Sequence, residues 1–239
     1  MLRVDSLSVW FQGLKALDEV TIKVDRGEIY AVIGPNGAGK TTLFNALTGF
    51  ARPSAGTIHF RDEPLLGLAP ERISRKGIAR TFQVAKPFSG VSVLDNVIAG
   101  AVSHSSNIRE ARDRANDAIS RVKLDGFRNH NAGSLPVALR KRLELARAVA
   151  TGATFICMDE VMGGLSPHEV QEAMAIIRNL RDSGVTILII EHNMQALMQL
   201  ADRVAVLNTG AVITVGTPNE VTQDGRVIEA YLGVPHESA

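Results

Sequence analysis

Cysteine is almost missing from the sequence: Cys157 is the only one among 239 residues. One thiol closes no internal disulfide, and Cys157 lies in an apolar run. The expectation is therefore a small buried thiol in a reducing compartment, the cytoplasm by default. Charge of one sign is missing too, since 26 Lys and Arg against 25 Asp and Glu leave a formal +1. No global charge excess directs the chain to nucleic acid or an anionic membrane; only local patches could. Long hydrophobic runs are also lacking. Val185-Thr186-Ile187-Leu188-Ile189-Ile190 is among the longest strongly apolar stretches, far short of the roughly 20 residues of a membrane-spanning helix. Met1-Leu2-Arg3-Val4-Asp5 has no basic segment followed by a long apolar stretch, so no signal peptide is expected and membrane association is expected to run through a partner. There is no internal repeat and no low-complexity segment. What is present is 45% apolar residues, enough for a sizeable core in one α/β domain or two small ones.

Residues 2–25 alternate loosely between apolar and polar, with Val4, Leu7 and Val9 and then Val20, Ile22 and Val24 near period two, which predicts an antiparallel sheet. Glu28 to Ile33 is a short apolar run cut off by Gly34-Pro35-Asn36-Gly37-Ala38-Gly39-Lys40-Thr41-Thr42 and followed by Leu43 to Phe50 at helical spacing: strand, loop, helix. The same kind of buried strand recurs at 155–158, running into Asp159-Glu160, and at 185–190, running into Glu191-His192. Helical stretches at 168–182 and 193–200 separate such runs, which predicts a mainly parallel sheet covered on both faces, with ligands beyond the strands' carboxyl ends. From about 90 to 150 the pattern turns helical (91–101, 108–123), and no convincing strand intervenes. Residues 204–207 and 212–215 read as a hairpin around Asn208-Thr209-Gly210, and Pro218-Asn219-Glu220 opens a last short helix.

Gly34 to Thr41 satisfies the phosphate-loop pattern of glycine, four residues, then Gly-Lys-Thr. Chemistry dictates that spacing. Successive backbone N–H groups must face phosphate oxygens, glycines permit the close approach, and the next helix adds its positive end. Lys40 would reach the β and γ phosphates and the Thr41 hydroxyl would ligate Mg²⁺. A chance match in a chain of this length has a probability of roughly 1%. Asp159, after four apolar residues, would hold a magnesium-bound water, and Glu160 would orient or deprotonate the attacking water. His192 after a strand is either structural or a contact to the γ-phosphate, and the residues alone leave both readings open. Phe11 and Gln83, read alone, are a half-buried strand aromatic and a surface glutamine; Trp10 reads as packing.

These residues together resemble the ATP-binding subunits of ABC transporters, over essentially the whole chain. The resemblance implies a P-loop NTPase core with a mainly parallel sheet, an N-terminal antiparallel β subdomain and an inserted α-helical subdomain. It treats 1–239 as one ATP-binding domain, with 84–150 the helical subregion and 216–239 a C-terminal tail. It makes Phe11 the aromatic that stacks on adenine, and Gln83, in Thr81-Phe82-Gln83, the glutamine that senses Mg²⁺ and faces the permease. Asp159 becomes the magnesium aspartate, Glu160 the catalytic glutamate and His192 the switch histidine. Within the family, Ile78-Ala79-Arg80-Thr81-Phe82-Gln83, Ile190-Glu191-His192-Asn193-Met194 and Glu229-Ala230-Tyr231-Leu232-Gly233 are similar to the branched-chain amino-acid importer group, whose relatives carry urea, amides or aromatic acids. The implied partners are a second ATP-binding subunit, two permease subunits and, indirectly, a periplasmic or extracellular solute-binding protein, with no nucleic acid. The implied location is the cytoplasmic face of the cell membrane, through the permeases.

Two stretches depart from the family. Its Leu-Ser-Gly-Gly-Gln signature falls on Leu135-Pro136-Val137-Ala138-Leu139, ahead of a helix expected to begin near Arg140. Pro136 and Val137 resemble variants seen in the branched-chain group, whereas Ala138 and Leu139 in place of Gly and Gln do not. Each lost hydrogen bond to a phosphate is worth about 1.5–3 kcal/mol. Val161 stands where proline is usual, and Ser166 where Asp or Asn is. The expectation is a heterodimer in which this chain's own Lys40, Asp159 and Glu160 work with a partner's signature while the mirror site is impaired. A catalytically weak regulatory subunit is the alternative. A soluble ABC-type ATPase is disfavoured because its second cassette, coiled coil or basic extension is not seen, and a GTPase because no Asn-Lys-x-Asp segment occurs.

Overall fold

The computed structural model describes residues 1–82 and 86–232, and the chain forms two compact units, Met1–Ile73 with Leu188–Ala239, and Ser74–Ile187. Each is described by itself.

In the first unit, β1 (Leu2–Phe11) and β2 (Leu14–Val24) form the antiparallel pair expected, with Leu2 opposite Val24 and Val4 opposite Ile22. Register shifts between Val4 and Leu7 and between Leu7 and Val9 explain why the alternation is only loose. The other edge of β1 carries β4 (Ala55–Phe60), which pairs in turn with β5 (Glu63–Pro64), giving the order β2-β1-β4-β5. β3 (Ile29–Ile33) is wholly buried; β9 (Arg203–Asn208) runs parallel to it, and β10 (Ala211–Gly216) returns antiparallel as the predicted hairpin. Around these strands lie α1 (Lys40–Leu47), α7 (Met194–Leu200), α8 (Pro218–Gln223) and α9 (Gly225–Leu232). The chain crosses between units in α2 (Pro70–Arg75) and in β8 (Thr186–Ile190), itself wholly buried.

In the second unit β6 (Ile78–Arg80) runs parallel to β7 (Phe155–Asp159), Ile78 beside Phe155 and Arg80 beside Cys157. The helices are α3 (Val93–Val102), α4 (Ile108–Arg121), α5 (Val137–Ala150) and α6 (Pro167–Asp182). Among the described residues between 90 and 150 no strand occurs beyond an isolated bridge from Ser92 to Asn131, which agrees with the helical reading. Local chemistry sets the helix starts. Ser92 and Asn107 accept from the N–H groups of Asp95 and Glu110, and Ser166 forms a reciprocal capping box with Glu169 ahead of Pro167. Ser166, where the family has Asp or Asn, therefore supplies the same kind of cap. α4 turns Ala111, Ala115 and Ala118 inward, fully buried, a small-residue seam at helical spacing. Gly100 brings α3 close enough to α5 that a Cβ there would stand 2.8 Å from the Arg147 carbonyl oxygen.

Two expectations need correction. α5 begins at Val137, not near Arg140, because Pro136 with φ −56° serves as its N-cap rather than delaying it. Trp10 is not packing: it is 52% exposed, with the Lys15 ammonium 5.9 Å from its ring centroid.

Cys157 is fully buried, and loss of hydration pushes its thiol up to about 12. In native buffer a thiol-specific disulfide reagent is expected to react with Cys157 only as fast as the protein unfolds, and immediately in denaturant. Phe44 of α1 is likewise fully buried, so Phe44→Ala is expected to lower stability by about 3–5 kcal/mol in urea unfolding.

Candidate active site

The phosphate loop is shaped by what surrounds it. Gly34 leaves β3 with φ +151°, and a Cβ there would lie 2.0 Å from the Leu207 carbonyl oxygen. Gly39, the N-cap of α1, has φ +102°, and its Cβ would meet the Ala16 carbonyl oxygen at 2.6 Å. Gly37 also has positive φ but faces open space. The loop is braced through its backbone: the Ala38 N–H donates to the Pro35 carbonyl (3.2 Å), the Gly210 N–H to Ala38 (3.1 Å) and the Asp18 N–H to Gly210 (2.9 Å). Lys40 bends back over the loop and donates to the carbonyls of Gly34 (2.6 Å) and Pro35 (2.9 Å), leaving it buried. α1 has no capping side chain and no acid in its first turn, so its positive end is not offset by a neighbouring carboxylate. Asn36, Gly37 and Thr41 are exposed, and Pro35 and Thr42 are half-buried.

The same unit holds Phe11 at the end of β1, with about half of its surface, 51%, exposed. It also holds His192, exposed just past β8. The His192 N–H donates to Oε2 of the buried Glu191 at 3.3 Å, and the Asn193 side chain caps α7.

In the second unit Asp159 is the last residue of β7 and is buried. Its Oδ2 accepts from the Arg80 guanidinium at 2.9 Å, and its N–H donates to Thr81 Oγ1 at 3.2 Å. Thr81 is in turn fixed by donating its N–H to the Cys157 carbonyl at 2.9 Å. Glu160 has φ +49°, an unfavourable region for a residue with a Cβ. Its carbonyl accepts from Lys141 Nζ (2.5 Å) and from the Gly163 N–H (3.3 Å), which hold the strained peptide in place. Of the signature residues Leu135 and Ala138 are buried, Leu139 is half-buried, and Pro136 and Val137 are exposed. Like α1, α5 has no capping side chain and no acid in its first turn, so its positive end survives the loss of the usual signature side chains. The departures Ala138 and Val161 line one small apolar cavity with Leu165 and Ile177, so the two changes meet in space.

The structure thus gathers the phosphate loop in one unit and the Asp159-Glu160 pair in the other. Gln83 lies outside the described residues. Among the described residues no three His, Cys, Asp or Glu side chains assemble into a metal site. Thr41 and Asp159 offer a hydroxyl and a carboxylate, hard oxygen donors that suit Mg²⁺ when water and phosphate complete its shell. Sequence reasoning missed Arg80, Lys141 and the bracing by Leu207 and Gly210. Only Arg80 left a trace, a cation closing an apolar strand triplet; the others are long-range contacts with main-chain atoms.

A glycine loop between a buried strand and a helix, a lysine folded over that loop, and two carboxylates at the end of another buried strand define the class: a P-loop nucleoside triphosphatase. Residues 17–163 match the ABC transporter family model, and residues 211–237 match that of the branched-chain amino acid ATP-binding cassette transporter. The chain belongs to the ABC transporter family as an ATP-binding subunit, and it is an ATPase. It is 37% identical to the high-affinity branched-chain amino acid transport ATP-binding protein BraF of Pseudomonas aeruginosa, the alignment covering 98% of each chain. The corresponding LivG of Escherichia coli K12 is 39% identical, again over 98% of each. The lipopolysaccharide export ATP-binding protein LptB of the same organism is 34% identical over 97% of each. Among solved structures, an ATP-binding cassette of an ABC transporter in its ADP conformation superposes with a TM-score of 0.89 at 30% identity, covering 98% of each chain.

Gly34→Ala must displace the Leu207 carbonyl, so it is expected to weaken ATP binding more than tenfold by calorimetry. Gly37→Ala, with open space around it, is expected to cost only the ~1–2 kcal/mol of a left-handed backbone and to retain binding.

Proposed function

We propose that this chain powers an importer of branched-chain amino acids or of related small solutes such as amides, urea or aromatic acids. The observation that carries the solute class is the match of residues 211–237 to the branched-chain model. Identity over the full chain cannot carry it, since an export subunit is 34% identical while BraF and LivG are 37% and 39%. Membership of the family implies membrane permeases as partners, and no helix among the described residues is long and apolar enough to cross a membrane. On this reading the chain sits at the cytoplasmic face through two permease subunits, fed indirectly by a solute-binding protein.

The roles of the phosphate loop, Asp159 and Glu160 follow from residue chemistry, and those of Phe11, Gln83 and His192 from the resemblance to the family. Phe11 stacks on adenine. Gly34, Pro35, Asn36, Gly37, Ala38, Gly39, Thr41 and Thr42 surround the phosphates with backbone amides and hydroxyls, and the Lys40 ammonium exchanges its two loop carbonyls for phosphate oxygens. Thr41, Asp159 and Gln83 would hold Mg²⁺, which would neutralise charge on the phosphates. The Glu160 carboxylate orients the attacking water and takes its proton, and His192 contacts the γ-phosphate. The Leu135-to-Leu139 segment serves a partner's ATP with its helix end but lacks the usual Ser, Gly and Gln groups. A heterodimer with one strong and one weak site follows.

Glu160→Gln is expected to keep ATP binding and abolish hydrolysis, and Lys40→Ala to weaken both; wild-type turnover by the Glu160→Gln complex would remove Glu160 as the base. In the complex with its cognate second ATP-binding subunit, mutating Glu160 is expected to stop turnover, while mutating the partner's glutamate lowers it modestly. Equal losses would sink the asymmetry. Reconstituted with permeases and binding protein, ATPase activity is expected to rise with leucine, isoleucine or valine. A response only to an unrelated solute would overturn the assignment.

A further inference from the structure

We propose that Arg80 is a positioning residue for the hydrolytic site, acting as the standing counter-charge of Asp159. The inference rests on the reading that Asp159 serves the metal of bound ATP. Both side chains of the pair are nearly sealed from solvent, at 8% and 6% exposure, and the guanidinium holds Oδ2 at 2.9 Å. That bond to Oδ2 restrains the carboxylate's rotation about its last bond. Thr81, the residue after β6, supplies a second restraint, since it accepts the Asp159 N–H at 3.2 Å while donating its own N–H to the Cys157 carbonyl at 2.9 Å. The last residue of β6 and the one after it therefore set both the side chain and the backbone of the aspartate at the end of β7.

The charge has a further consequence. A buried carboxylate without a counter-ion is strongly disfavoured, and it repels the polyphosphate of a nucleotide that arrives without metal. With Arg80 in place the aspartate is compensated before any cation arrives. The site then accepts ATP with its metal or ahead of it, and Mg²⁺ adds to a carboxylate already aimed. Without Arg80 the carboxylate depends more on Mg²⁺ for compensation, and metal-free ATP is disfavoured. Packing alone predicts no such difference between the two forms of the ligand.

The test measures ATP affinity twice for each variant, with excess Mg²⁺ and with EDTA, on the full chain in complex with its second subunit. Arg80→Met is expected to weaken metal-free ATP about tenfold or more relative to Mg·ATP, the effect of one uncompensated charge. Arg80→Lys, which keeps the charge but not the fork, is expected to leave that ratio near wild type. In an Asp159→Asn background, Arg80→Met is expected to leave the ratio unchanged, because the charge being compensated is gone. Should Arg80→Met not fold, Arg80→Gln offers a polar side chain to the carboxylate and carries the same prediction. Equal losses for both forms of ATP, or a selective loss that persists with Asn at 159, would overturn the proposal. Failure of the wild-type complex to bind Mg·ATP would instead overturn the reading of the site itself.

Discussion

The main chain at Gly34 runs so close to the carbonyl of Leu207 that a methyl group would not fit between them, and the shape of the phosphate loop depends on that contact. β9 lies parallel to β3 in a register that sets Ile33 beside Val206, which delivers the next residue of each strand to the same point. The chain turns there without a side chain, Gly39 repeats the close approach against Ala16, and Lys40 starts a helix whose first-turn amides have no capping group. The lysine then satisfies its ammonium on the loop's own carbonyls. These carbonyls hold the ammonium over the loop, where phosphate oxygens can take their place.

The second unit solves the opposite electrostatic problem. Two adjacent carboxylates are placed at a strand end, and the protein stabilises them differently. Asp159 is tied through its side chain to Arg80, while Glu160 is tied through its peptide carbonyl to Lys141 and Gly163. Clamping the peptide offsets a left-handed backbone that costs about 1–2 kcal/mol. Lys141 belongs to α5, whose first turn carries the signature segment. One helix therefore both presents that segment and steadies the Glu160 peptide.

Much of this was legible in the sequence, and the reasons are specific. Gly34 to Thr41 is readable because phosphate binding fixes residue type and spacing together, and the runs at 28–33, 155–158 and 185–190 because buried strands leave uninterrupted apolar stretches. The start of α5 was misplaced by three residues because a proline reads as a barrier, although it also fits a helix's first positions. β4 went unread since only Ile58 and Phe60 of its six residues are buried. Trp10 misled because strand aromatics are usually packed, and this one is exposed at the end of a ribbon. Arg80 and Lys141 were invisible as functional groups, because their partners lie 79 and 19 residues away and one of these is a carbonyl, which has no identity in a sequence.

The brace on the phosphate loop also has a bearing on biosynthesis. Leu207 and Gly210, which hold Gly34 and Ala38, leave the ribosome about 170 residues after the loop they support. At the usual 5–20 residues per second that interval is roughly ten to thirty seconds. Throughout it the glycine loop has been made but lacks its support, so a nascent chain gains its grip on nucleotide only near the end of synthesis, after Asp159 and Glu160 have already emerged.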